Sequence, residues 1–520
     1  MKMKKFIILL SVISLMISNV SCGSRSAEKE YTADTFQRML NYEEKNVSRT
    51  EPASTVQNTR ELVIQDPAEN KIEIIPGTIY DTNGIPILYT DLDSDNKRMF
   101  SPEYSECFSN ILSSYSSGLE SQPKYREVLM SQNPTLVKDK RVGKSAVVTY
   151  DAKIQKSLYE YCKGMNINGS LVIMRSDGSL VAEVSSPSYN ANEYIDALNN
   201  GEANSLSNGC LNNKCEEHRA PGSTFKMISA LTAKIANVTG DTVEPGVFYD
   251  GGYWDTPDGF RVRDWFFTDN GGFSAEGPRN RNISDAFIIS SNVVFAKTFV
   301  ALGASQVDSL LKQHFCFGVP IEMDMVTFNA SNQLGIEDGS DRSLALSAFG
   351  QGKCATSPLY LTILTREAIC GDMVKAFTMK NVVDTSSPDK ILDAGSTPCE
   401  VIANTGGITM KEEMRAIAND LVFSLDGYTL YCKTGTAEVD NQDDTLYIAA
   451  YLEQNGKEFK FTDTYADYKD YASKNGSYFI VLQVRNPHEI NFEWPNRNAI
   501  YASHMGPILN HIAFLVTSND

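Results

Sequence analysis

Ala220-Pro221-Gly222-Ser223-Thr224-Phe225-Lys226 runs directly into Met227-Ile228-Ser229-Ala230-Leu231-Thr232-Ala233-Lys234-Ile235-Ala236. Phe225, Ile228, Leu231 and Ile235 recur at helical spacing, and Gly240 can end the helix. Behind a Pro-Gly turn, this pattern puts Ser223 at a helix N-terminus with Lys226 one turn later on the same face, an amine near a hydroxyl. A buried lysine loses its proton through desolvation and can serve as the base that a serine nucleophile needs. The helix dipole favours negative charge developing at Ser223. Ser-x-x-Lys alone says little, because it recurs in polar contexts at Ser26/Lys29, Ser94/Lys97, Ser121/Lys124 and Ser387/Lys390. Only Ser223 opens a long apolar helix.

Two further elements lie downstream. Ile288-Ile289-Ser290-Ser291-Asn292-Val293-Val294-Phe295 places Ser290 and Asn292 between two apolar stretches, where polar groups need partners. Other Ser-x-Asn triplets at Ser94, Ser131, Ser188 and Ser473 lack such flanks, and a helix cap is the alternative use of Ser290. Lys433-Thr434-Gly435-Thr436 follows the strand Thr429-Leu430-Tyr431-Cys432. A cation and hydroxyls on a strand hold a carboxylate, Gly435 admits a close backbone, and the N–H beyond it can face an oxyanion. A lysine in a β-turn is the alternative here.

Around these elements the chain alternates strands and helices. Ala146–Thr149 reads as a strand and Asp151–Cys162 as a helix. Ser170–Arg175 and Ser179–Val184 flank the hairpin signal Asp177-Gly178. Thr429–Thr436, Leu446–Leu452 and Tyr478–Val484 read as strands, and Ala499–Val516 as a closing helix. One mostly antiparallel sheet covered on its faces follows, an α+β fold, with residues 190–420 mainly helical. Upstream, Lys71–Ile75 reads as a strand ending at Pro76-Gly77, and ordered structure is expected from about Lys71. Thr78–Asp81 and Ile85–Tyr89 form a hairpin about Asn83-Gly84, its second arm held to an edge by Pro86. The expected organisation is a leader at 1–22, a polar tether at 23–70 with one helix near Thr35–Glu44, a small α+β module at 71–144 and the main domain at 145–520. No repeat is visible, and the polar insertion Gly456–Gly476 reads as a solvated loop.

Composition narrows the function. The 520 residues are 42% apolar and 22% charged, an ordinary globular balance. A net charge of −18 argues against nucleic acid, which needs a basic face. No Walker loop, Rossmann fingerprint or zinc-protease helix is present. The five histidines, His218, His314, His488, His504 and His511, show no ligand spacing, which argues against a metal enzyme. Lys2, Lys4 and Lys5 precede the apolar stretch Phe6–Val20, short for a span of roughly 20 residues but suited to a secretory signal. Val20-Ser21-Cys22-Gly23 resembles a bacterial lipobox, with Asn19 where leucine is usual. Lipidation of Cys22 and an uncleaved N-terminal anchor both place the protein on the outer face of a bacterial membrane. The 10 cysteines are scattered and form no disulfide framework. Cys210 and Cys215 are near enough in sequence for a local bridge, and at least one thiol is left unpaired.

The three elements, in this order, match the Ser-x-x-Lys, Ser-x-Asn, Lys-Thr-Gly set of penicillin-binding proteins and β-lactamases. The chain resembles a class B penicillin-binding protein, a D,D-transpeptidase of bacterial cell-wall synthesis. Thr149-Tyr150-Asp151 with Ile154-Gln155, Gly178–Ala182 with Ser186–Tyr189, and Phe349-Gly350-Gln351-Gly352 with Thr356-Ser357-Pro358 are similar to further segments of that family. Gly77–Asp81 and Gly118-Leu119-Glu120 resemble its N-terminal module, with Pro76 and Thr82 where arginine is usual.

The resemblance implies a penicillin-binding/β-lactamase-like transpeptidase domain, a five-stranded sheet with helices on both faces, and a smaller N-terminal α+β module. It implies that Ser223 attacks the peptidoglycan stem peptide between its terminal D-alanines and that Lys226 takes its proton. Ser290 would relay a proton to the leaving D-alanine, and Asn292 would orient Lys226 and substrate. Lys433, Thr434 and Thr436 would hold the carboxylate beside Gly435, and the N–H groups of Ser223 and Thr436 would form the oxyanion hole. It also implies acylation by β-lactams, no metal or organic cofactor, and a partner glycan polymerase. A β-lactamase would need a Glu-x-x-Leu-Asn after Ser290, which is absent. A D,D-carboxypeptidase differs only in its acceptor, a non-catalytic cell-wall scaffold would tolerate loss of Ser223 or Lys226, and both alternatives stay open.

Overall fold

Five apolar runs pair into one sheet in the computed structural model. It describes residues 62–65 and 71–518, apart from 114–117, 201–207, 269–270, 275–276, 326, 329–333, 337, 394, 422–424, 426, 439–443, 456–476 and 488–504. The sheet order is Leu180–Ser186, Gly169–Arg175, Tyr478–Val484, Thr445–Gln454, Tyr428–Ala437, and every pair is antiparallel. Successive residues of the inner strands are buried on both faces, so both faces need cover. Pro358–Cys370, buried along its whole length, packs on the three inner strands. Ala152–Gly164 packs on Leu180–Ser186, and Gly506–Ser518 packs on Ala152–Gly164. The Asp151 side chain starts that first helix, accepting from the Lys153 and Ile154 N–H groups at 3.0 Å.

A second sheet departs from the expected organisation. Its order is Ser387–Asp393, Met379–Asp384, Ser145–Val148, Ile79–Tyr80, Pro86–Asp91, Lys97–Phe100. Strands from both sides of residue 144 share it, so the module at 71–144 and the start of the main domain are not separate in space. Pro86–Asp91 is an inner strand here, not an edge. Pro86 is its first residue, where the missing N–H breaks little of the ladder. Paired structure also begins before Lys71, since Leu62–Gln65 pairs with Lys71–Ile74. Buried Arg98 ties the module together, donating to Glu120 at 2.7 Å and to the Gly77 carbonyl at 2.7 Å. An arginine thus joins the two family-like pieces from a position other than 76 or 82.

The stretch 190–420 holds more strand than expected. Val247–Asp250 pairs with Arg279–Asn282, Tyr253–Asp255 with Arg261–Arg263, and Asp372–Val374 with Val401–Asn404. The closing helix is Gly506–Ser518. The leader, the helix near Thr35–Glu44 and the insertion Gly456–Gly476 lie outside the described residues. No disulfide joins Cys210 to Cys215, and none involves the seven other described cysteines. Cys215 lies buried against the Val184 carbonyl, with 3.3 Å between Sγ and oxygen.

Candidate active site

Ser223 sits in a tight turn, Gly222–Phe225, that leads into the helix Lys226–Ile235. The apolar face of that helix is buried and draws Lys226 in with it, to 0% exposure. An amine so placed must find hydrogen-bond partners. It donates to the Ser290 carbonyl at 2.6 Å, to Asn292 Oδ1 at 2.6 Å and to Ser290 Oγ at 3.2 Å. Ser290 lies between the helices Ile283–Ile288 and Asn292–Leu302 with φ 62, in the left-handed region that serine rarely adopts.

Lys433 comes from the strand Tyr428–Ala437 and is also buried. Its Nζ donates to Ser290 Oγ at 3.1 Å and to the Thr434 carbonyl at 3.0 Å, over the Phe287 ring at 5.6 Å. Burial lowers its pKa from 10.5 to about 8. One hydroxyl therefore accepts from two lysines and keeps its own proton for a third partner.

That strand is at the edge of the central sheet, so alternate backbone groups face away from its neighbour. In an antiparallel strand a residue's N–H and C=O point to the same side. A Cβ added to Gly222 would lie 2.4 Å from the Thr436 oxygen, so the Thr436 N–H is directed towards the turn that carries Ser223. Gly222 takes φ +56, and its N–H donates to the Gly350 carbonyl at 2.9 Å. Phe349–Gly352 thus braces the turn from behind. Ser223, Ser290, Asn292, Thr434 and Thr436 are all half-buried, as side chains at an opening must be.

The structure brings Lys226, Ser290, Asn292 and Lys433 into direct contact and lays Gly435 and Thr436 against the Ser223 turn. Sequence reasoning missed the residues behind them. Asp264 accepts from the N–H groups of Asn292 and Val293, and Asp250 pairs with Arg281 at 2.9 Å, both buried. No motif marks these three. The one available signal is a charged Arg263-Asp264-Trp265 amid aromatic residues.

Residues 169–480 match the penicillin binding protein transpeptidase domain family. The chain is 27% identical over 197 residues to the peptidoglycan D,D-transpeptidase MrdA of Haemophilus influenzae, covering 36% of this chain and 28% of that one. It is 24% identical over 221 residues to the MrdA of Salmonella typhimurium, covering 41% and 33%. The matches thus span about a third or less of these relatives. The fold is similar to the D,D-transpeptidase domain of a peptidoglycan glycosyltransferase from Eggerthella lenta, with TM-score 0.63, 18% identity, and 85% and 98% of the two chains covered. It is similar also to penicillin-binding protein A of M. tuberculosis in its imipenem acyl-enzyme complex, with TM-score 0.64, 17% identity, and 84% and 98% covered.

Proposed function

The chain belongs to the penicillin-binding protein transpeptidase family, and from that premise we propose that it is a class B peptidoglycan D,D-transpeptidase working through a Ser223 acyl-enzyme. The observation that carries this reading is Ser290 Oγ held by Lys226 at 3.2 Å and Lys433 at 3.1 Å, beside the turn that carries Ser223 and lies with Gly222 against Thr436. Ser223 Oγ attacks the carbonyl carbon between two D-alanines, and its proton passes to Lys226. Negative charge on the carbonyl oxygen meets the Ser223 and Thr436 N–H groups. Collapse breaks the C–N bond, and the leaving D-alanine takes a proton through Ser290. An amine of a second stem peptide then displaces Ser223 Oγ, which regains its proton. Lys433 supplies positive charge for the terminal carboxylate, with the Thr434 and Thr436 hydroxyls beside it. β-Lactams enter the same first step. The donor peptides are carried on glycan, so a polymerase partner forms part of this reading. The basic and apolar start of the chain, ending at Cys22, supports tethering to the outer face of the cell membrane.

The test is the mass of the protein after exposure to a fluorescent penicillin. A stable increase equal to the intact drug, mapped to Ser223, is expected. Rapid turnover to hydrolysed drug would replace this reading with a β-lactamase, and no adduct would replace it with a scaffold. A stem pentapeptide supplied with an amine acceptor should yield a cross-linked product and free D-alanine. Free D-alanine with only hydrolysed peptide would mark a carboxypeptidase.

Acylation should depend on pH through Lys433. Its charge is complete well below about 8 and is lost as pH rises through that value. The second-order rate constant for labelling should therefore fall across that range. Lys433→Arg, which stays charged, should move the falling limb to higher pH. An unmoved limb would assign it to another group.

A further inference from the structure

Among the buried charges outside the three motifs, one group lies directly behind Ser290 and Asn292. Asp264 is buried, and one of its oxygens accepts from the Asn292 N–H and, at 3.1 Å, from the Val293 N–H. The other accepts from Ser291 Oγ at 3.1 Å, and Ser291 Oγ accepts from the Val294 N–H at 3.1 Å. These N–H groups belong to the first turn of the helix Asn292–Leu302, where they find no acceptors within the helix. Asp264 and Ser291 therefore cap that helix jointly.

The flanking residues grip the same turn. The Arg263 carbonyl accepts from Asn292 Nδ2 at 2.8 Å, and Trp265 Nε1 donates to the Ile289 carbonyl at 2.8 Å. With Nδ2 so committed, Asn292 can offer only Oδ1 to Lys226. Ser290 is left between two fixed points in its left-handed conformation, which persists only where the surroundings over-determine it.

Asp250 backs Asp264 from the other side. Its carboxylate accepts from Arg281 Nε at 2.9 Å and from the Gly252 N–H at 2.9 Å. Burial, with the Asp250 charge and hydrogen bond next, raises the Asp264 pKa, against the interactions with Lys226 and the Val293 N–H. The shift favours the neutral acid, which caps the turn without adding full negative charge beside Lys226.

We propose that Asp264 is a positioning residue for acylation, holding the Ser290–Asn292 turn so that Ser290 Oγ and Asn292 Oδ1 face the Lys226 amine. It acts through that turn, and the inference rests on the reading of Ser223 as nucleophile. Asp264→Asn keeps an oxygen for the Asn292 and Val293 N–H groups and can donate to Asp250 and Ser291. Asp264→Ala removes every one of these bonds.

The experiment follows penicillin labelling of the full chain, separating the initial binding constant from the acylation rate constant. Unfolding midpoints establish that each variant is folded. Asp264→Ala should acylate about 10²-fold more slowly at a similar binding constant, the loss expected when reacting groups are misplaced by about 1 Å. Asp264→Asn should recover most of the rate. If Asp264→Ala does not fold, Asp264→Ser replaces it with the same expected loss. Wild-type protein that is never labelled at Ser223 would remove the nucleophile reading and this inference together. Labelled wild type with a folded Asp264→Ala or Asp264→Ser acylating equally fast would overturn the inference alone. So would an Asp264→Asn as slow as the truncated variant, because placement by a neutral acceptor would then not suffice.

Discussion

Ser223→Ala should form no covalent penicillin adduct, and Lys226→Met should form it about 10²–10⁴-fold more slowly, the usual contribution of a positioned base. Serine is a poor nucleophile at its own pKa and needs a base on its hydroxyl. Lys226 is the buried amine one turn from Ser223, whereas Lys433 is engaged with Ser290 and the Thr434 carbonyl. Methionine fills the same channel without an amine, so the helix face stays packed. The Ser290 carbonyl and Asn292 Oδ1, each 2.6 Å from Nζ, lose a donor, while the cost of burying a polar amine disappears. These effects oppose each other in stability, so the change in melting temperature should be modest beside the change in rate. Time-resolved labelling with the melting curve of each variant checks this. Normal labelling of Lys226→Met would move the base elsewhere.

Gly222→Ala should damage both the site and the fold. Gly222 takes φ +56, and an added Cβ would lie 2.4 Å from the Thr436 oxygen and 2.7 Å from its carbon. Those are backbone atoms of a sheet strand and cannot rotate aside. The left-handed conformation alone costs a side chain roughly 1–2 kcal/mol. Relief requires the Ser223 turn to withdraw from Thr436, which separates the two N–H groups proposed to face the oxyanion. Loss of one such donor costs about 10²–10³ in rate. Gly164→Ala, at the end of the helix Ala152–Gly164 with nothing within 4 Å of the added atom, serves as the control and should leave labelling unchanged without lowering the melting temperature. Labelling of Gly222→Ala at the wild-type rate would show that the close approach of turn and strand has no part in acylation.

The central sheet was legible because its strands are runs of apolar residues buried on both faces, and Asp177-Gly178 marks one hairpin. The three motifs were legible because each joins polar residues to an apolar element that must be buried. Asp264, Asp250 and Arg281 were not. Their contact is made by two strand pairs, one enclosing the other, and a helix start, and nothing local distinguishes Arg263-Asp264-Trp265 from a solvated loop. Burial of Asp250 is tolerated only because Arg281 arrives from another strand. The second sheet escaped for a related reason. Its hairpin was read from Asn83-Gly84, and Ile79 does pair with Leu88, but Ser387–Asp393 is exposed throughout and shows no alternation of a half-buried strand. Its key pairing, Ile79 beside Ala146 in parallel, joins distant segments that no hairpin signal links.

That second sheet also makes one strand depend on a distant partner. Ser145–Val148 has one neighbour, Ile79–Tyr80, earlier in the chain, while its other neighbour begins at Met379. Without that second neighbour it presents an uncovered row of N–H and C=O groups, a template for pairing with another copy. Closure of so long a loop is slow, and the turn that carries Ser223 lies within it. The frame around that turn is therefore completed by a strand far along the chain. A chain cut short before Met379 would carry the Ser223 turn together with a strand edge open to aggregation.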